Sequence, residues 1–462
     1  MHWLTLRQLK SGNTKSRLKA AKELWQEPNA RSLNGLAEAL LTDPDSEVRQ
    51  VAASALGRIH APERLEPLLK GLQDKDPDVL RSVLLALRRA ADEKVIHYLV
   101  PLLQHQNFGV RASAAQAIDT LRWAPSDREQ RMWFAVAKGW YERAAALGVE
   151  AIPALKLTYE TGPVASAVRA VEAMGAIPDP TAAKMLCQAL NHQEPAVCIA
   201  AVGALGNVGG STAVQALVPC LRNVNPQIRA ESARALGILG AAEATAQICN
   251  LLQDKEWEVR REAAGALGKL KNPEMVEPLA KVLDDTDGDV REAAAIALGG
   301  TGDRRAVGPL VLALKDELAS VRRIAAAGLS RIDADWVSLP ETRASAEKLK
   351  VAIQDAEPAV RFFVAQLLVN LGEISPEAFL GFAPGDSMAS PAAKRKRMAT
   401  SIFMALLEDR DRDARQTAAE ALGRLAEDRA LQALTRASND PDGDVAAAMQ
   451  MALQTLKSKP NN

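Results

Sequence analysis

Apolar residues recur along this 462-residue chain with a helical period, and then again with a much longer one. Between Asp285 and Leu298, turning successive residues by 100° puts Val290, Ala294, Ala297 and Leu298 on one face. Glu292 and Ile296 point the opposite way. The next run, Ala306, Val307, Leu310, Val311 and Leu314, follows Asp303, a residue type that caps helix N-termini; one unit earlier Asn272-Pro273 stands there. Each unit therefore reads as two antiparallel helices joined by a short turn. The phrase that opens the second helix returns at Val197-Cys198, Ile228-Arg229, Val259-Arg260, Val290-Arg291 and Val321-Arg322, with a spacing of 31 each time. A fixed period of about 20–50 residues marks a stacked array whose neighbours bury one another's apolar stripes.

Three further regularities refine the unit. Gly57, Gly206, Gly237, Gly268, Gly299 and Gly423 each follow Ala-Leu, where a left-handed glycine would end the second helix. Pro67, Pro278 and Pro309 fall inside the first helix and are expected to bend it, at about 3 kcal/mol in an ordinary helix interior, and so to curve the stack. An acidic residue lies six before the arginine in Asp43/Arg49, Asp254/Arg260, Asp285/Arg291, Asp316/Arg322, Asp355/Arg361 and Asp409/Arg415. That offset puts a carboxylate in the turn, within reach of its own arginine and of the next unit's.

The stretch Asp285 to Gly299, followed by Gly302 to Leu310, resembles a HEAT repeat, and among these the short form found in phycobilisome lyases. The resemblance covers most of the chain. It implies an all-α solenoid, a right-handed superhelix of about thirteen helix pairs in which second helices line the concave side. For function it is unspecific, because such repeats serve scaffolds, adaptors and a few enzymes alike.

Along the chain, residues 1–121 read as N-terminal repeats, with Arg49, Arg81 and Arg111 following Arg17. Residues 122–180 are degenerate and aromatic-rich. There Pro125-Ser126 to Glu129 reads as a capping box that opens one long run carrying Met132, Trp133, Val136, Trp140 and Tyr141. Trp123, Trp133 and Trp140 either fill space where alanine packing lapses or anchor a partner. Residues 181–332 hold the regular repeats, 333–372 an elongated one, 373–398 an exposed loop, and 399–462 the C-terminal repeats and cap. The loop carries Phe379, Phe382, Lys394, Arg395, Lys396 and Arg397, either a solvated insertion or a docking element with a basic clasp.

Composition narrows the function classes. The chain is 48% hydrophobic but only 4% aromatic, so its core is built of Ala, Leu and Val. Lys+Arg and Asp+Glu both total 57, and this neutrality argues against a dedicated nucleic-acid binder. No apolar run is long enough to span a membrane, and the polar start does not read as a secretory signal; cytoplasmic residence follows as the default. Cys187, Cys198, Cys220 and Cys249 are too far apart along the stack for disulfides and read as packing residues. His105 and His192 occupy acidic-site positions and read as substitutions within a structural turn. HEAT-like hydroxylases bind iron through His-Glu pairs, and no His-Glu dipeptide occurs here. The sequence thus offers no cofactor or metal site and no catalytic constellation.

What remains is a surface. The outward second-helix positions, one and five after the arginine, are Ile199, Gly203, Ala230, Arg234, Arg261, Gly265, Glu292, Ile296, Arg323, Ala327, Phe362 and Gln366. The expected function is a non-enzymatic scaffold or adaptor that binds a protein or peptide through Arg234, Arg261, Glu292, Arg323 and Phe362. The alternatives are a subunit of a chromophore- or cofactor-handling lyase-like enzyme and a nucleic-acid-binding HEAT-like protein.

Overall fold

A computed structural model of the chain describes residues 2–355, 364, 368, 400, 403, 404, 406–408, 412–425 and 427–458. Among them are α-helices, short 3₁₀ helices and turns, and no strand. The fold is an all-α solenoid of helix pairs. Leu33–Thr42 pairs with Ser46–Leu56, Val276–Val282 with Gly288–Thr301, Val307–Ala313 with Ala319–Ile332, and Ala430–Ala437 with Gly443–Lys457. The chain divides into two compact units, Met1–Ala235 and Leu236–Asn462. Each is assembled from such pairs.

The turn chemistry explains where helices begin. Asp287 caps Gly288–Thr301, its side chain accepting the amides of Asp289 at 3.0 Å and Val290 at 3.2 Å. Asp45, Asp76 and Asp442 do the same for their helices. First helices start differently. A single 3₁₀ turn, such as Pro273–Met275 or Arg304–Ala306, is capped by Asn272 or Asp303 and leads into a short α-helix. Pro67, Pro278 and Pro309 are each the third residue of that α-segment, beginning at Leu65, Val276 and Val307 respectively. They mark the junction between 3₁₀ and α geometry, in the first turn where a missing N–H costs little. The expected mid-helix bend is therefore not what these prolines make.

The core follows the helical period. Val290, Ala294, Ala297 and Leu298 are at most 2% exposed, while Ile296 on the opposite face is 56% exposed. The expectation that the glycines after the Ala-Leu pairs stop their helices in the left-handed form is corrected. Gly57 has φ −62°, and Gly206, Gly268 and Gly299 lie inside their helices. The left-handed stops come later, at Ala91, Lys271 and Gly302.

The recurrence of these glycines along the chain has a steric cause. A Cβ built on Gly57 would lie 2.6 Å from the Cβ of Ala86 in the next second helix. On Gly268 it would lie 2.8 Å from Ala297, and on Gly299 2.6 Å from the backbone of Gly328. The glycine is absent of bulk so that successive second helices can touch backbone to backbone.

This contact gives opposite signs to two substitutions in one helix. Gly265→Ala meets nothing within 4 Å and should stabilise by about 0.5–1 kcal/mol through helix propensity. Gly268→Ala drives a methyl into the backbone of the neighbouring helix and should cost about 1–3 kcal/mol. Paired urea unfolding curves check this; a stabilising Gly268→Ala would refute the steric account.

Candidate interaction surfaces

The turns between helices hold a ladder of ion pairs. Arg17 donates to Asp43 at 2.7 and 3.0 Å, Arg49 to Asp74 at 2.7 and 3.1 Å, and Arg260 to Asp285 at 2.7 and 2.8 Å. Arg291 with Asp316 and Arg415 with Asp440 repeat the geometry. In each case the arginine's carboxylate belongs to the following unit. The arginine's own turn receives it chiefly through backbone carbonyls, as when Arg260 donates to the oxygens of Asp254 at 2.8 Å and Lys255 at 3.3 Å. The expectation that a turn carboxylate serves its own arginine and the next one is corrected accordingly: Asp285 serves the arginine before it. The pairs are nearly enclosed, with Arg291 and Asp316 side chains each 8% exposed.

Register within the helices moves one assignment. Arg49 and Arg291 lie four residues after their N-caps Asp45 and Asp287. In the helix capped by Asp76, that position is Leu80, so Arg81 is not the ladder arginine as expected, and it pairs instead with Asp78 at 3.0 Å. The ladder position then falls at 49, 80 and 111, in even steps of 31. His105 lies on the turn that Leu80 faces, and its Nδ1 accepts the Asn107 amide at 3.0 Å, as Asp43 accepts that of Asp45 at 2.9 Å. His192 does likewise for Glu194 at 3.0 Å, and Asn223 for Asn225 at 2.9 Å. Both histidines are thus the turn substitutions expected. Twenty-five residues before them stand Leu80, Ala167 and Cys198, so each turn lacking a carboxylate is faced by a unit lacking the arginine.

Arg322 meets no carboxylate among the described residues and donates to the oxygens of Asp316 at 2.7 Å and Glu317 at 3.0 Å. The buried exception is Arg111. It is 1% exposed, and no carboxylate meets it. It donates to the oxygens of His105 at 2.7 Å and Gln106 at 2.9 Å, and to Thr161 Oγ1 at 3.0 Å. Burial pulls its pKa down to about 10, which still leaves it charged at neutral pH.

The outward second-helix positions are mixed. Arg323 and Ile296 are exposed, Arg261, Glu292 and Gly265 are half-buried, and Ala230 is buried rather than outward. Arg261 donates to its neighbour Glu262 at 2.8 Å and stacks 5.2 Å from the Trp257 ring centroid. In the first unit, Arg234 is held by Glu231, with Nε at 2.8 Å from its carboxylate. Phe362 and Gln366 lie outside the described residues, as do Phe379, Phe382, Lys394, Arg395, Lys396 and Arg397.

A family model for HEAT repeats matches residues 4–88, 65–129, 152–236, 219–299, 276–344 and 388–454. The chain belongs to the HEAT-repeat family. The short phycobilisome-lyase subtype rests on the sequence resemblance alone. No curated protein sequence matches the chain. Among solved structures, an engineered protein is 21% identical over 99% of each chain, with a TM-score of 0.32. Human deoxyhypusine hydroxylase in complex with glycerol is 21% identical over 61% of this chain and 98% of its own, with a TM-score of 0.25. Importin beta is 14% identical over 92% of this chain and 66% of its own, with a TM-score of 0.46. None of these similarities bears on activity.

In the aromatic stretch, this HEAT array packs its rings edge to face. Phe134 is buried, with its centroid 5.7 Å from that of Trp123 and 5.9 Å from that of Trp140. Trp123 and Trp133 pack against the core, and Trp140 is 37% exposed between Lys138 and Arg143. The helix there is capped by Asp127 rather than Ser126. Gly139, at φ +77°, ends the run before Trp140, so the expected single helix is two, Arg128–Ala137 and Tyr141–Ala145. The four thiols are free, and burial pushes every one of them up, which disfavours the reactive thiolate. Among the described residues, no group of three or more His, Cys, Asp or Glu is placed to hold a metal, and no helix is long and apolar enough to cross a membrane.

The ladder yields two measurements. Asp285→Ala strands Arg260 against a half-buried turn and should cost about 2–4 kcal/mol. Copying the Leu80/His105 pair with Arg260→Leu and Asp285→His should cost less than the sum of its two single changes, by about 1–3 kcal/mol in a double-mutant cycle. Strict additivity would mean the two positions are not coupled.

The second is pH dependence. Burial alone would raise the Asp285 carboxyl, but the Arg260 guanidinium and the Asp287 amide outweigh it and hold the carboxyl low. Arg415 holds Asp440 low in the same way. A carboxyl lower in the folded than in the unfolded chain contributes stability in full above the unfolded value of about 4. That contribution disappears as pH falls through the folded value. Denaturant midpoints should therefore fall from about pH 4 downward, and Asp285→Asn should flatten the decline.

Proposed function

We propose that the protein is a non-enzymatic scaffold that binds a partner protein or peptide along the outward face of its second helices. The observation that carries this reading is the row Arg261, Glu292, Ile296 and Arg323 in the second unit. Ile296 is 56% exposed on an otherwise small-residue surface, and Glu292 and Arg323 form no ion pair among the described residues. An apolar anchor point flanked by uncommitted charges suits an extended or helical segment with an apolar residue and charges of opposite sign beside it. The ladder arginines, by contrast, are engaged within the array and offer nothing to a partner. The resemblance-based concave placement of second helices fits the same reading, and Arg234 is the corresponding position late in the first unit.

Affinity capture from the native host, comparing wild type with Ile296→Asp/Arg323→Glu, tests it. Both positions are exposed, so the variant should keep its helicity and unfolding midpoint while losing at least tenfold in recovered partner. Equal recovery of the same partners by both proteins would remove this face from consideration.

A further inference from the structure

Three units that face a turn without a carboxylate lack the ladder arginine, and they differ in what stands in its place. Leu80, 3% exposed, fills the position with bulk. Cys198 keeps part of the arginine's role, its thiol donating to the His192 carbonyl at 3.2 Å. Ala167 does neither. It is 1% exposed at the floor of an open pocket of about 650 Å³, walled by Tyr159, Glu160, Gly162, His192 and Glu194.

The chemistry of that pocket is set by its register. Ladder arginines donate to carbonyls six and five residues before them, as Arg291 does to Asp285 at 2.9 Å and Thr286 at 3.4 Å. Arg229 does the same to Asn223 and Val224. The corresponding carbonyls before Ala167 are those of Thr161 and Gly162. Arg291 also reaches Glu317, a carboxylate beside the turn, at 3.1 Å. Here Glu194 stands beside the turn; it is exposed, does not cap its helix through its side chain, and forms no ion pair among the described residues. Glu160, which also lines the pocket, pairs among the described residues with Lys156 alone, at 3.6 Å on its own helix. The buried Tyr159 ring and the half-buried His192 ring, 6.4 Å apart edge to face, line the pocket, and guanidinium groups stack on rings of this kind. Arg111 already lies 5.5 Å from the Phe108 ring one ladder step earlier.

From this arrangement we infer that the pocket over Ala167 is a binding site for an arginine side chain of a partner protein. The incoming guanidinium takes the place that the protein's own arginine holds in the other units. It donates to the Thr161 and Gly162 carbonyls and is neutralised by Glu160 and Glu194. The planar, five-donor guanidinium fits carbonyls and carboxylates set at an angle, which a point-charge ammonium does not. The pocket is larger than one such group, leaving room for residues flanking the arginine. The inference rests on the scaffold reading only in taking the arginine from a protein partner; the site itself is distinct from the second-helix row.

The test uses the full chain, with methylguanidinium as probe, methylammonium as control, and the Tyr159 ring resonances as readout. Saturable, millimolar-range shifts with methylguanidinium, at least fivefold weaker with methylammonium, are expected. Glu160→Gln/Glu194→Gln, at two exposed positions, should weaken the binding at least fivefold, and His192→Asp, which restores the ladder carboxylate, should tighten it. Equal response to the two cations, or affinity within twofold in the glutamine variant, overturns the assignment whether or not His192→Asp folds. Ile296→Asp/Arg323→Glu should leave the titration unchanged, so failure here and failure of the second-helix row are read separately.

Discussion

A helix-pair array has no core apart from the joints between neighbours, and here the regular joints are made of two contacts. One is the near approach of successive second helices, open only because residues such as Gly268 carry no side chain against Ala297. The other is the arginine that leaves its own turn and closes on the next unit's aspartate. The first sets the distance between units. The second sets their register, because a bidentate guanidinium–carboxylate pair tolerates little displacement.

The two contacts differ in what they forgive. The glycine contact is steric and one-sided, so a single added methyl is felt directly by the backbone opposite. The ladder is electrostatic and two-sided. Leaving one partner of an enclosed pair strands a charge, whereas exchanging both for residues that fill the space is nearly free. That asymmetry accounts for Leu80 facing the His105 turn and Cys198 facing the Asn223 turn.

The helix pairs, their period and the face of Val290, Ala294, Ala297 and Leu298 were all legible in the sequence, because amphipathic periodicity is imposed by burial at every turn. The role of the glycines was not. A glycine after Ala-Leu is equally the mark of a left-handed stop and of a close helix contact, and only the neighbour's position separates them. The direction of the ladder was hidden for a similar reason. An offset of six between Asp285 and Arg291 is visible along the chain, while the working offset of twenty-five, from Arg260 to Asp285, crosses a unit boundary. Arg81 misled because it stands one residue past the ladder position, which the cap at Asp76 reveals. The pocket over Ala167 had a signal after all: alanine and histidine spaced where arginine and aspartate stand elsewhere. The second-helix row was proposed from outward register alone, and Ala230 shows how far register can mislead where a helix is covered.

Regularity therefore points to stability and irregularity to use. Where the ladder is complete, every guanidinium is spoken for and the turn edge offers little to a ligand. Two of its departures adjoin in the first unit, where Arg111 crosses to Thr161 without meeting a carboxylate and Ala167 leaves the next turn without a cation. Arg111 carries a buried positive charge with no counter-ion, and Glu160 and Glu194 face a turn with no arginine. A stack that holds a guanidinium at its complete joints has, in the pocket over Ala167, the acceptors to hold another chain's.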